Sequence, residues 1–206
     1  GGALGPIGVS PKWLQFYDIQ RSRGVSYDFR EFTTLPVRSG SGLIGSPTDI
    51  SRSSGLDCSG FVGWTVQNTR GDGNAYIYGA GAMGGKYKEK KLGTLTSNYM
   101  VVDYKPGDIM YKSGHVFMIV GPSEYGGVVL VHASPGGVKL GGFGGGEKTA
   151  QLYMSRYWPE VADRSKPFNF GWFHQPAYEG EYNQFRWYLG GNGINDPDGF
   201  YDMTAE

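Results

Sequence analysis

The 206-residue chain is long enough for one sizeable core, and its 39% apolar and 15% aromatic content excludes disorder despite 36 glycines and 11 prolines. Nineteen basic against nineteen acidic side chains leave no net field for bulk capture of nucleic acid or an anionic membrane. A single cysteine, Cys58, excludes an intrachain disulfide framework and a multi-thiolate zinc site.

No run of residues approaches the roughly 18 consecutive apolar positions that a membrane span needs. The chain opens Gly1-Gly2-Ala3 without an initiator methionine, as a processed or trimmed chain does, so the lack of a targeting segment carries no information on compartment. In chain order, residues 1–9 read as an N-terminal extension. Ser10-Pro11 then pairs an N-cap serine with proline at the first helical position. With Trp13, Leu14, Phe16 and Tyr17 it predicts a short amphipathic helix that stops near Gly24. Residues 33–56, rich in Ser, Gly, Pro and Thr, predict a long surface loop. A compact helix is expected from Asp57 to about Asn68, closed by the turn chemistry of Arg70-Gly71-Asp72-Gly73-Asn74.

Residues 75–98 are ambiguous, glycine-rich and then lysine-rich. Beyond them the pattern becomes β. Tyr99–Val102, Asp108–Tyr111, His115–Val120, Val128–His132 and Gln151–Tyr157 are short runs rich in Val, Ile, Tyr and Met, bounded by turn residues. Gly141–Gly146 reads as a flexible connector between the last two. Helices first and strands after predict an α+β domain over residues 10–166, a helix layer on an antiparallel sheet of about five or six strands. Residues 167–206 are aromatic without a clear period and read as a C-terminal extension. Its aromatics can stack on sugars, but more often such residues pack an extension onto its domain.

Three motifs carry less than they suggest. Gly79-Ala80-Gly81-Ala82-Met83-Gly84 fits the dinucleotide fingerprint, but Lys86 to Gly93 lacks an apolar stripe to pack on a sheet and no further βαβ unit follows. A solvated loop is the expectation there. Arg70-Gly71-Asp72 follows a helix and reads as a turn. Asn195-Asp196-Pro197-Asp198-Gly199 lacks the spacing and closing glutamate of a calcium loop, and is also read as a turn.

The chemistry concentrates elsewhere. Asp57-Cys58-Ser59-Gly60-Phe61-Val62 puts the thiol at a predicted helix N-terminus, where unpaired N–H groups and the helix dipole favour the thiolate and can hold a developing oxyanion. A lone cysteine is more often a small buried apolar side chain, so the histidines decide. His115 opens one strand after Ser113-Gly114, and His132 ends another before Ala133-Ser134-Pro135-Gly136. If those strands are neighbours, both imidazoles lie at the same end of the sheet, where His132 can orient His115 as a proton shuttle. His174 lies outside these motifs and reads as structural.

Asp57-Cys58-Ser59-Gly60-Phe61-Val62, Lys105-Pro106-Gly107-Asp108-Ile109, Gly114-His115-Val116 and Val131-His132-Ala133 occur in an order that resembles the NlpC-type peptidoglycan peptidases, papain-like cysteine enzymes of bacterial cell walls. His115 follows Cys58 by 57 positions, His132 follows His115 by 17, and the resemblance covers about residues 10 to 160. It implies a papain-like fold with the nucleophile at a helix N-terminus and a Cys–His–His triad. In that triad Cys58 is the nucleophile, His115 the base and then the acid, and His132 the orienting residue. It further implies that the Cys58 backbone N–H holds the oxyanion, and that Asp57 and Ser59 border the cleft and engage a free amine of the stem peptide. Gly24-Val25-Ser26-Tyr27 resembles the segment whose tyrosine assists the oxyanion hole, making Tyr27 the candidate. The family's usual tryptophan and paired glycines are replaced there by Asp28-Phe29-Arg30.

The implied activity is hydrolysis of an amide bond in peptidoglycan stem peptides, such as a D-glutamyl–diamino acid bond. It needs no metal or cofactor, involves no nucleic acid and no transmembrane segment, and belongs to a secreted or wall-associated protein, taken as a monomer. A non-catalytic wall-binding module of the same fold, or a thiol amidase, deamidase or transferase, remains open.

Overall fold

The computed structural model describes residues 58–72, 74–134, 137–157 and 180–206. The helix expected after Ser10-Pro11, the loop 33–56, and Tyr27, Asp57 and His174 lie outside the described residues. The chain divides into two compact units, Gly1–Gly79 with Ala133–Val138, and Ala80–His132 with Lys139–Glu206.

In the first unit the helix expected from Asp57 is α1, Cys58–Arg70. Cys58, Val62 and Val66 recur at four-residue spacing and are all buried, which gives the helix one apolar stripe. Gly71, at φ +58°, ends it, and its N–H donates to the Gln67 carbonyl. The Arg70 Nε then bonds both Asp72 Oδ2, at 3.1 Å, and the Tyr76 hydroxyl, at 2.7 Å. The tripeptide Arg70-Gly71-Asp72 is thus a helix stop whose charged ends face each other.

The second unit is built on an antiparallel sheet, so the domain is α+β with six strands in the order β1-β6-β2-β3-β4-β5. The strands are β1 (Gly93–Thr96), β2 (Ile109–Lys112), β3 (His115–Pro122), β4 (Val128–Ser134), β5 (Gly137–Phe143) and β6 (Asn183–Trp187). β2 to β5 follow one another as neighbours, and β6 returns from the end of the chain to lie between β1 and β2. Met110 pairs with Phe117, Ile119 with Leu130, and Ile109 with Phe185. Because side chains alternate across a strand, these pairs divide the core into two faces. One holds Met110, Phe117, Ile119, Val128 and Leu130 with Phe143 and Tyr182, and Val101 and Tyr104 pack against it. The other carries Phe185 and Trp187, against which the ring of Tyr87 packs at 5.4 and 5.7 Å.

Tyr87 belongs to α2 (Met83–Glu89), which corrects the solvated loop expected there. Met83 and Tyr87, four residues apart, are fully buried, and two large side chains suffice to dock a seven-residue helix. A second correction concerns Gln151–Tyr157, expected as a strand. These residues are the C-terminal part of α3 (Gly146–Tyr157). Ala150 and Met154 are its buried i, i+4 pair, and Glu147 in the first turn accepts the Gly145 N–H at 2.9 Å. Tertiary packing outweighs the β-propensity of Tyr153 and Tyr157.

The stretch 141–146, expected as a connector, begins inside β5. A Cβ on Gly142 would lie 2.6 Å from the Val128 carbonyl oxygen, so glycine there serves a close approach of two backbones. Tyr99–Val102 forms no ladder: Asn98–Met100 is a 3₁₀ turn, and the Asn98 N–H bonds the side-chain oxygen of Asn183, in β6, at 3.1 Å. The tail read as an extension supplies β6. Beyond it Asp196 accepts the Phe200 and Tyr201 N–H groups at 2.8 and 2.9 Å, as a turn-forming aspartate does.

Candidate active site

Cys58 is the first residue of α1, where helix N–H groups have no partner within the helix. It is 6% exposed, and Ser59 beside it 3%. Cys58 opens the buried stripe that continues through Val62 and Val66.

In the second unit β3 and β4 are neighbours, as the shared end of the two histidines required. Ile119 faces Leu130 across this pair, and counting by twos places Phe117 and His115 on the same face as Leu130 and His132. β3 starts at His115 and β4 closes just past His132, so antiparallel pairing brings the two rings together. His115 Nε2 lies 3.1 Å from His132 Nδ1, and the rings stand at 89° to one another. Such a contact needs one nitrogen to carry the proton and the other the lone pair, so the two tautomers are coupled.

The hairpin that presents His115 has a two-residue turn, Ser113-Gly114. Gly114 sits at φ +85°, a conformation that glycine takes at no steric cost and other residues do not. Phe117 and Tyr182 wall the imidazole, each with its ring centroid 6.4 Å away, and pack on each other at 4.8 Å. Burial among these rings, and second the positive charge of Lys112, bring His115 from its ordinary 6.5 down to about 4. His132, 2% exposed, is pushed lower still by burial, with the charges of His115 and Lys139 adding to it. Burial thus favours the neutral form of both rings, one of which donates and the other accepts across the 3.1 Å contact.

The turn Lys105-Pro106-Gly107-Asp108 is fastened from below. The Asp108 carboxylate, fully buried, accepts from the Lys105 N–H, the Gln184 amide and the Arg186 guanidinium. Trp187 Nε1 donates to the Gly107 carbonyl at 2.9 Å. The backbone of Asp108 and Gly107 exchanges bonds with Ile119 at 2.8 and 2.9 Å. This motif therefore holds the β2–β3 ribbon, at whose far end His115 stands.

Three residues close to the histidine pair escaped the sequence reading. Lys112 was legible in principle, because a two-residue turn at Ser113-Gly114 sets it opposite His115. Glu181 and Tyr182 were not, since they arrive from a stretch with no periodic signal, and the insertion of β6 brings Tyr182 to His115 and Glu181 to Lys112.

Among the described residues no group of three or more His, Cys, Asp or Glu side chains is arranged to hold a metal ion, and no helix is long and apolar enough to cross a membrane. No family model, curated protein or solved structure matches the chain.

Proposed function

We propose that the protein is a secreted or wall-associated cysteine peptidase that hydrolyses an amide bond in peptidoglycan stem peptides, in the manner of the NlpC-type papain-like enzymes its motifs resemble. The observation that carries this reading is the 3.1 Å contact between His115 Nε2 and His132 Nδ1. Two residues singled out as base and orienting partner, 17 positions apart, meet through the nitrogens that such a relay uses. The position of Cys58 as the first residue of a helix supports it independently.

In this reading His115 donates its Nε2–H to His132 Nδ1, which leaves the lone pair on His115 Nδ1 as the base. The proton of the Cys58 thiol passes to Nδ1 as sulfur attacks the carbonyl carbon, and the oxyanion is held by the Cys58 N–H, with Tyr27 as a second donor. The imidazolium that forms is oriented by His132. It protonates the leaving amine as the C–N bond breaks, giving a thioester. A water that loses its proton to His115 then releases the acid and regenerates the thiol. Asp57 and Ser59 engage a free amine of the stem peptide.

The test is digestion of a defined muropeptide panel with product masses read out. Hydrolysis by the native protein and none by Cys58→Ala supports the reading, and the masses identify the bond. Equal digestion by Cys58→Ala refutes it. A product heavier than the hydrolysate by the mass of an acceptor less one water identifies a transferase instead.

A further inference from the structure

Lys112 ends β2 directly opposite His115, the last register pair before the hairpin turn. Antiparallel partners project from the same face with their Cβ atoms about 5 Å apart. The ammonium does not swing freely from there. Glu181 Oε2 bonds it at 2.5 Å, and Lys112 Nζ also stands 4.7 Å from the centroid of the Tyr182 ring. That same ring meets His115 at 79°. A long cationic side chain, normally mobile, is thus clamped between an anion and an aromatic face beside an imidazole.

We propose that Lys112 is a positioning residue for His115, a cation fixed by Glu181 and Tyr182 that holds the neighbouring imidazole in its neutral, proton-accepting form in mildly acidic medium. The charged and titratable groups around that ring come from four directions: Lys112 from β2, Glu181 and Tyr182 from the segment entering β6, His132 from β4, and Lys139 beyond it on β5. Of these groups Glu181 is the carboxylate, and it is engaged with Lys112. The downward displacement of His115 has burial as its first cause and Lys112 as its second, in agreement with the geometry.

The consequence for turnover rests on the peptidase reading, but the test does not. The protonation of the three histidines is followed by NMR in [¹⁵N]histidine-labelled protein, with His132→Gln and His174→Gln used for assignment. Lys112→Met removes the charge and keeps the aliphatic stem, so the His115 midpoint should rise by about one unit, a tenfold change in its proton affinity. Lys112→Arg keeps the cation and should leave the midpoint at its native value. If muropeptide hydrolysis is present, the acid limb of its rate profile should move with the midpoint in Lys112→Met and not in Lys112→Arg.

An unchanged His115 midpoint in a folded Lys112→Met protein, or the same rise in Lys112→Arg, overturns the proposal. Lys112→Gln serves as the second charge-removing variant should Lys112→Met fail to fold. Loss of the peptidase reading through the Cys58→Ala result leaves the NMR outcome standing, so the two failures are distinguishable.

Discussion

Arg186 places its Nε and Nη2 on the two carboxylate oxygens of Asp108, at 3.0 and 2.7 Å, across 78 positions of sequence. Asp108 is fully buried, whereas the Arg186 side chain is 22% exposed and reaches out with Nη1 to Asp103 at 3.0 Å. Burial pushes the Asp108 carboxyl up, and the guanidinium, whose own pKa the carboxylate raises, opposes that. The pair ties the last strand to the turn that precedes β2.

Removing one member strands the other. Asp108→Asn keeps the shape but leaves Arg186 facing a neutral amide. Arg186→Met leaves a buried carboxylate with only Gln184 and the Lys105 N–H. Each should cost about 3 kcal/mol in urea unfolding, the lower end of the range for a broken buried pair because Arg186 is partly solvated. A loss under roughly 1 kcal/mol would mean that the pair acts as a surface bridge.

Acid should unfold the protein through its histidines before its carboxylates. His115 is held neutral in the folded state with its pKa lowered to about 4, while the unfolded chain binds that proton near 6.5. Stability is therefore complete above pH 6.5 and falls as pH drops toward 4, by about 2 kcal/mol for this ring between pH 6.5 and 5. His132, lowered in the same sense, adds to the slope. Asp72 and Glu206, whose folded pKa values are depressed, lose their contribution only at more acid pH. Urea midpoints measured from pH 7.5 to 4.5 should decline, and His132→Gln should flatten the decline. A flat native profile would contradict the neutral pair.

The hairpin turn should matter to chemistry more than to stability. Gly114→Ala forces an L-residue to φ +85° with nothing crowding its Cβ. The expected loss is about 1 kcal/mol by thermal unfolding. On the proposed peptidase reading, the position of Gly114 next to His115 predicts that kcat for muropeptide hydrolysis falls at least tenfold in this variant while KM changes little. Unaltered kcat would show that the turn does not set the histidine.

Cys58 should alkylate with iodoacetamide well below pH 8, and His115→Gln should slow that reaction. An unmodified thiol that reacts only near the ordinary 8.5 would count against a nucleophile activated by a histidine.

Legibility followed the locality of the signal. α1 announced itself by the turn residues Arg70 to Asn74 that close it, whereas the stripe of Cys58, Val62 and Val66 emerged from burial in the structure. β2, β3 and β4 announced themselves by short apolar runs between turn residues. α2 buries Met83, Gly84 and Tyr87, only two of them with large side chains, below what a sequence pattern resolves. α3 reads as β because its aromatic and sulfur-bearing side chains are common to both element types. β5 and β6 were hidden for opposite reasons. Gly142 removes the side chain by which a strand is recognised, and β6 is aromatic on a background that is aromatic throughout.

What the sequence determined by itself is the list of reactive residue types and their spacing: one thiol at a helix start, and two histidines at complementary ends of short strands. These are local statements, since helix caps, turns and alternation depend on neighbours along the chain. Only the tertiary structure decided that β3 and β4 lie side by side with 3.1 Å between His115 and His132. It also decided that a strand from the last quarter of the chain enters the sheet beside β2 and delivers Glu181, Tyr182 and Arg186. Backbone pairing and burial are non-local, and they brought Lys112, Tyr182 and His115 together where no pattern in the sequence joined them.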